Sequence, residues 1–100
     1  MSSHFLVITA LGPAWDHTRG RREQDGWDEH AAFMDRLVAE GLIVLGGPLG
    51  DPNDGEHTAL VFAAGSEDEI RAQMAEDPWS GDLLRLQEIR PWSLWLRGRV

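Results

Sequence analysis

Residues 26–41 form one amphipathic helical pattern, and such a helix needs a second layer to cover its apolar face. At about 100° per residue, His30 falls near the middle of that face. The apolar side chains around it are Trp27, Phe33, Met34, Leu37 and Val38. An imidazole placed there is either a hydrogen-bonded core residue or a working group that faces a cavity.

Four strand-like segments and a second helix accompany this element. The second helix begins with the capping-box pair Ser66 and Glu69 and ends before Asp77-Pro78. The strands are predicted at about 4–11, 42–45, 57–64 and 83–89. The order strand–helix–strand–strand–helix–strand predicts an α+β fold of the ferredoxin-like βαββαβ type, with an antiparallel sheet and both helices on one face. We expect a single domain over residues 1–100.

Local signals predict where these elements begin and end. Asp25 is the expected N-cap of the first helix, and Gly41 is its expected C′ residue. Pro91 predicts an edge, a bulge or a bend in the last strand. Residues 92–96 are interpreted as a fifth strand or a continuation of the fourth, followed by a frayed tail.

The first two strands are apolar on both of their faces, whereas two helices cover only one side of a sheet. A bare apolar sheet face predicts a partner. Two sheets packed face to face would form a symmetric dimer with an enclosed interior. We therefore expect a homodimer, which corresponds to a dimeric α+β barrel.

The composition excludes several classes of function. A formal charge of −8 argues against binding to nucleic acid or to an anionic membrane surface. The absence of cysteine excludes disulfide scaffolds and thiol catalysis. The apolar N-terminal run is short and lacks a basic flank, so we expect a cytoplasmic protein. The four histidines show no metal-ligand spacing, and no phosphate-binding glycine motif occurs, so we expect neither a metal nor another cofactor.

His30 and Asp77 are the candidate catalytic residues. Histidine has an ordinary pKa of about 6.5, which suits proton transfer near neutral pH. Asp77 ends the second helix, and loops at the ends of two neighbouring helices can approach each other. A carboxylate there would hold the imidazole in one tautomer. No nucleophile elbow is present, which points to acid–base chemistry rather than acyl transfer.

A pocket beneath the hairpin of the second and third strands is the expected ligand site. Its predicted substrate-binding residues are Trp27, Pro48, Asp51 and Trp79. Asp51 follows glycines that allow a ligand close to the backbone, although a role in the turn is its alternative. A basic cluster precedes the first helix and is either a solvated loop or a rim that attracts anions. It consists of Arg19, Arg21 and Arg22.

These motifs resemble the YCII-related (YciI-like) family of small proteins. The similar segments are 29–37 (EHAAFMDRL), 41–48 (GLIVLGGP), Asp77-Pro78-Trp79 and 89–92 (IRPW), which together span nearly the whole chain. The resemblance implies a ferredoxin-like fold, a dimer, and a site whose His and Asp carry over onto His30 and Asp77. One branch of the family resembles a dehydrochlorinase acting on a chlorinated hydroxyquinol, and relatives on the same fold include muconolactone isomerases.

The chain departs from this family at two aromatic positions. Trp27 lies three residues before His30, where similar sequences often carry Arg. Trp79 follows Asp77-Pro78, where Tyr or Phe is usual. Both departures lie next to the candidate catalytic residues, and they leave the substrate open.

Two classes of function remain open from the sequence. The first is a small cofactor-independent isomerase or lyase, resembling a dehydrochlorinase, in which His30 and Asp77 act on a small organic acid, with acids derived from an aromatic ring among the candidates. The second is a non-catalytic ligand-binding or accessory dimer in which the same two residues form a buried structural pair. A cofactor-free monooxygenase on the same fold is a third class, and no residue selects it.

Overall fold

A computed structural model describes residues 3–53 and 55–99 of the chain. Its strands are β1 (Ser3–Leu11), β2 (Ile43–Pro48), β3 (His57–Ala64) and β4 (Leu84–Pro91). Its helices are α1 (Trp27–Ala39) and α2 (Glu67–Met74), with a one-turn 3₁₀ helix at Arg21–Glu23. The element order is therefore the one that the sequence predicts.

The four strands form one antiparallel sheet in the order β2-β3-β1-β4. Strand β1 lies in the interior of the sheet, where Val7 is paired with Leu60 of β3 and with Ile89 of β4. Strand β4 is an edge strand, and its pairing with β1 shifts register between Ile8 and Thr9. The edge position that Pro91 predicts is present. The irregularity lies at Gln87, four residues earlier, whereas Pro91 is paired with Phe5, so the bulge or bend expected at Pro91 is not found there.

Both helices pack on the same face of the sheet. Alternate residues of β1, among them Phe5 and Val7, meet Leu37 of α1 and Ile70 of α2 in one buried cluster. Strand β3 adds Phe62 to this cluster, and that side chain has no exposed surface. Because residues two apart share a face of a strand, this cluster defines the covered side. The predicted ferredoxin-like fold is confirmed.

The start of α1 differs from the prediction. Gly26, not Asp25, is the N-cap, with φ +77° and no side-chain cap. The Asp25 side chain accepts a hydrogen bond from Arg19 Nη1 at 3.2 Å, so it does not serve the helix end. At the other end Gly41 has φ +79°, and the amide of Leu42 donates to the carbonyl of Leu37, which completes a Schellman motif as expected.

The cap of α2 follows the prediction. The Glu69 amide donates to Ser66 Oγ at 3.2 Å, and Glu69 Oε2 accepts from the Gly65 amide at 2.9 Å. This is the reciprocal arrangement of a capping box, displaced by one residue on the return bond. The cap fixes the residue at which α2 begins. The position of α2 in turn determines the position of Asp77, which follows the end of this helix by three residues.

The other face of the sheet carries apolar side chains and no helix. Leu6 and Ile8 of β1 and Val61 of β3 alternate with the covered residues, and Leu45 of β2 is 42% exposed beside them. Such a face on a chain that is otherwise acidic and well packed is a candidate interface.

The fifth strand predicted at residues 92–96 does not form. The Trp92 amide donates to the carbonyl of His4 at 2.9 Å, and β1 begins one residue earlier at Ser3. The described part of β1 therefore reaches only far enough to pair with the first residues of the segment 92–96. Beyond this point Trp95 and Leu96 are almost fully exposed.

Candidate functional site

His30 lies in the first turns of α1, and its ring is held by Asp77 from the turn that follows α2. Its Nδ1–H donates to the Asp77 carboxylate, at 2.9 Å to Oδ1 and 3.0 Å to Oδ2. Both side chains are buried, with His30 7% and Asp77 6% exposed. The two residues are 47 positions apart in sequence, so the antiparallel packing of two helices on one sheet face brings them together.

The turn after α2 positions the Asp77 carboxylate. The Asp77 amide donates to the carbonyl of Met74, and the Asp77 carbonyl accepts from the Ser80 amide at 2.9 Å. The Trp79 amide donates to Asp77 Oδ1 at 2.9 Å, as in an Asx-turn. The Asp77 carboxylate is therefore held both by the Trp79 amide and by the imidazole of His30. These two contacts give the carboxylate one orientation toward His30.

Indole rings surround the imidazole. The Trp79 ring stacks on the His30 ring, with centroids 4.0 Å apart and planes 5° from parallel. Trp27 lies 5.9 Å from His30, and Trp15 meets Trp79 edge-on at 5.7 Å. These contacts remove water from most of the ring and restrict its rotation, so the imidazole is prepositioned.

Trp79 also joins the turn after α2 to the start of α1. Its Nε1–H donates to the carbonyl of Asp25 at 2.8 Å. A Cβ atom at Gly26 would lie 3.3 Å from that nitrogen, in a backbone conformation that favours glycine. The glycine N-cap of α1 is therefore explained by the close approach of Trp79.

A cavity of about 650 Å³ opens beside His30, and we call it the His30 cavity. Its walls are α1, the hairpin of β2 and β3, and the arginine-containing loop before α1. Nδ1 faces Asp77, so Nε2, on the opposite side of the ring, is the nitrogen available to this cavity. Within the part of the chain that the structure describes, Nε2 makes no hydrogen bond.

The predicted ligand residues divide between different places. Trp27 and Pro48 line the His30 cavity. Trp79 lies behind the imidazole and contacts its ring, without lining the cavity. Asp51 lies at a second cavity with His17 and Arg19, and its Oδ1 accepts a hydrogen bond from the Asn53 amide at 2.8 Å. The position of Asp51 agrees with the alternative interpretation, a role in the turn. Asp51 is therefore not assigned to the His30 cavity.

Two functional candidates could not be chosen from the sequence alone. Arg21 and Arg22 both line the His30 cavity, and Arg21 is only 6% exposed. The basic cluster was visible in the sequence as a possible anion-attracting rim, but its pattern did not show which arginines face the cavity. Arg19 belongs to the same cluster and instead pairs with Asp16 and Asp25 on the surface.

Thr9 is a further residue that the sequence argument missed. Its hydroxyl is buried without a hydrogen-bond partner among the described residues. It borders a cavity of about 20 Å³ that Asp77 and Ser80 also line. The strand alternation that places Thr9 on the same face as Phe5 and Val7 was the available signal. A space of this size is large enough for one water molecule between the Thr9 hydroxyl and Asp77.

Residues 3–53 and 55–99 contain neither a cluster of possible metal ligands nor a membrane-spanning helix. No three His, Cys, Asp or Glu side chains there gather as a possible ion site. In the same residues, no helix has the length and apolar character required to cross a bilayer.

The fold and the buried His–Asp pair together define an α+β protein of the ferredoxin-like βαββαβ type, with the His30 cavity beside the pair. One solved structure is similar over most of its length. It is 5-chloro-2-hydroxyhydroquinone dehydrochlorinase (TftG) from Burkholderia phenoliruptrix AC1100, in complex with 2,5-dihydroxybenzoquinone. The TM-score is 0.68 at 25% identity, covering 90% of this chain and 93% of that one. No protein-family model and no curated protein matches the chain.

Proposed function

We propose that this protein is a cofactor-independent enzyme of the YciI-like type that performs acid–base chemistry on a small organic acid derived from an aromatic ring. The observation that carries the proposal is the 2.9 Å contact between His30 Nδ1 and Asp77 at the wall of the His30 cavity. The similarity of the fold to a dehydrochlorinase with a bound quinone supports elimination as the reaction class, with isomerisation as the related alternative.

The His–Asp contact gives the two ring nitrogens different roles. Asp77 accepts the hydrogen bond from Nδ1–H, and the proton stays on Nδ1. The lone pair therefore lies on Nε2, which is free to remove a proton from a ligand in the cavity. The carboxylate then stabilises the imidazolium that forms, without itself taking the proton. The same imidazolium can return the proton to another atom of the ligand.

Elimination of hydrogen chloride suits this machinery. The ring loses a proton and a chloride ion, and no oxidant or reductant is required. A chlorinated hydroxyhydroquinone yields a hydroxyquinone in this way. The aromatic wall formed by Trp27 and the apolar strand residues of the cavity fits a flat ring.

A non-catalytic ligand-binding role is the second candidate, and the burial of the imidazole favours it. His30 is 7% exposed and stacks on Trp79, which is also how a purely structural histidine would lie. The two functions differ in whether Nε2 exchanges a proton with a ligand.

The first experiment is turnover of 5-chloro-2-hydroxyhydroquinone, followed by chloride release and quinone absorbance. General acid–base groups contribute about 10²–10⁴-fold, so His30→Ala is expected to lose activity by that factor while remaining folded. His17→Ala is the matched control, because His17 lies outside the His30 cavity. If folded His30→Ala turns over as fast as the parent protein, the catalytic proposal is wrong.

A ligand titration separates the two candidates. Ring ¹⁵N shifts of His30 identify which nitrogen carries the proton, and 2,5-dihydroxybenzoquinone is the probe. A response at Nε2 on binding supports the enzyme, whereas binding with no change at that nitrogen supports the accessory role.

We also propose that the protein is a homodimer formed through the open sheet face. The supporting observations are the apolar residues Leu6, Ile8 and Leu45 on that face, together with Trp95 and Leu96, which are 90% and 94% exposed. Light scattering should give twice the 11.2 kDa mass of one chain at micromolar concentration. A mass of one chain there would contradict the dimer.

A further inference from the structure

Two arginines bring positive charge to the wall of the His30 cavity. Arg21 and Arg22 both line it, together with His30. Arg21 is buried and donates from Nε to the Pro52 carbonyl at 3.2 Å, and from Nη2 to the Gly55 carbonyl at 3.5 Å. Neutral carbonyl groups satisfy part of its hydrogen-bonding capacity without neutralising its charge.

Neither guanidinium has a carboxylate partner among residues 3–53 and 55–99, in a chain whose net charge is −8. Other arginines of the same chain do pair with acids. They are Arg19 with Asp16 and Asp25, Arg36 with Glu40, Arg71 with Glu67, and Arg90 with Glu88. Arg85, Arg97 and Arg99 also have no ion pair among the described residues, so the distinguishing feature of Arg21 and Arg22 is that both of these unpaired guanidinium groups line one cavity.

Aromatic rings hold these two side chains in place. Arg21 Cζ lies 5.1 Å from the Trp15 ring centroid, and Arg22 Cζ lies 5.9 Å from that of Trp27. A guanidinium that lies over an indole keeps its N–H edge for hydrogen bonds. Burial lowers the pKa of Arg21, because desolvation disfavours the charged form, and a bound anion would offset that penalty.

One acidic group also lies at this cavity, and it does not neutralise the arginines. Asp35 lines the wall from α1 and is exposed to solvent. It makes no ion pair with either arginine. Among the described residues that line this cavity, two guanidinium groups and one carboxylate give an excess of positive charge, in a protein whose net charge is −8.

We propose that Arg22, supported by Arg21, binds an anionic oxygen group of the ligand, a carboxylate or a phenolate, in the His30 cavity. The ligand then has a charged end on the arginines and a reacting part within reach of His30 Nε2. This inference rests on the proposed function for the location of the ligand, and it adds the charge of the ligand and the residue that selects it. Guanidinium is the cation suited to two parallel hydrogen bonds with a carboxylate.

The test compares benzoate with benzamide, which have nearly the same shape and differ in charge. Binding is measured by NMR titration of the intact protein. We expect benzoate to bind at least about tenfold more tightly than benzamide, and Arg22→Gln to remove most of that preference. Arg19→Gln is the matched control, since it removes the same charge from the same loop outside this cavity and should preserve the preference.

The inference is overturned if benzoate and benzamide bind equally, if neither binds, or if Arg22→Gln and Arg19→Gln have the same effect. Arg22 is exposed, so its substitution leaves the fold intact. His30→Ala separates this result from the catalytic proposal. If the anion site exists, that variant keeps its preference for benzoate whether or not His30 is a catalytic residue.

Discussion

Removing the Asp77 carboxylate tests the energetic basis of the site. Asp77→Ala deprives the His30 Nδ1–H and the Trp79 amide of their acceptor. Each buried donor left without a partner costs about 1–3 kcal/mol, so the variant should lose about 2–6 kcal/mol of unfolding free energy. His30 can lower its share by moving its proton to Nε2, whereas the Trp79 amide has no such alternative.

A double-mutant cycle isolates the contact between the two side chains. Unfolding free energies are measured by urea denaturation for the parent protein, for His30→Ala and Asp77→Ala, and for the double variant. We expect a coupling energy of about 1–3 kcal/mol. Either single substitution already breaks the His–Asp hydrogen bond, so the second substitution does not lose that bond again, and the double variant is less destabilised than the sum of the two single variants. His30→Ala removes the stacking of His30 on Trp79 both in the parent protein and in the Asp77→Ala background. The contribution of this stacking therefore cancels from the coupling energy.

Asp35→Ala is the control for the loss of a carboxylate. Asp35 is exposed on α1, and we expect its removal to change stability by no more than about 0.5 kcal/mol. A coupling energy below about 0.5 kcal/mol for His30 and Asp77 would refute the argument, since double-mutant cycles of residues in contact exceed that value. In that case the observed geometry would contribute nothing to folding.

Three further measurements examine single features of the fold. Ser66→Ala removes the acceptor of the Glu69 amide and should cost about 0.5–2 kcal/mol in urea denaturation. Gly46→Ala should cost about 1–3 kcal/mol, because its Cβ would lie 2.7 Å from the backbone carbonyl oxygen of Ala59, whereas Gly47→Ala meets nothing within 4 Å and should be nearly neutral. The pKa of Asp16 is lowered by hydrogen bonds from the Thr18 hydroxyl and amide, and then by Arg19, so its contribution to stability is lost as pH falls through that lowered value. In a carboxyl NMR titration, Thr18→Val should raise the pKa of Asp16, and no change would contradict this cause.

The helical period predicted the face on which His30 lies, and the order of elements predicted the sheet on which that face packs. The helical period is a local pattern within one segment, and each element in the order is identified by a local pattern of its own. The prediction that Asp77 approaches His30 needed only the topology, because the end of α2 and the start of α1 are neighbours in this fold. Its exact contact depends on the Asx-turn to the Trp79 amide, which the Asp-Pro sequence does not specify.

The features that sequence reasoning missed depend on distant chain segments. Gly26 replaces Asp25 as the N-cap because Trp79, more than fifty positions later, bonds to the Asp25 carbonyl. Arg21 is buried because carbonyl groups more than thirty positions away accept its N–H groups. Local propensity carries no information about such partners, so the arginine cluster could be noticed but not resolved into cavity and surface members.

The departure at Trp27 is coupled to the position of the charge in the site. The family resemblance in the sequence implies an Arg three residues before the helical His, and this chain has an indole there instead. Arg22 lies over that indole at 5.9 Å, and the indole in turn lies 5.9 Å from the His30 ring. The chain therefore supplies a guanidinium to the cavity from the preceding loop, with Trp27 between the charge and the imidazole. Because Trp27 contacts both groups, the His–Asp pair and the proposed anion site form one packed unit, and Trp27 and Trp79 are the aromatic residues that build it.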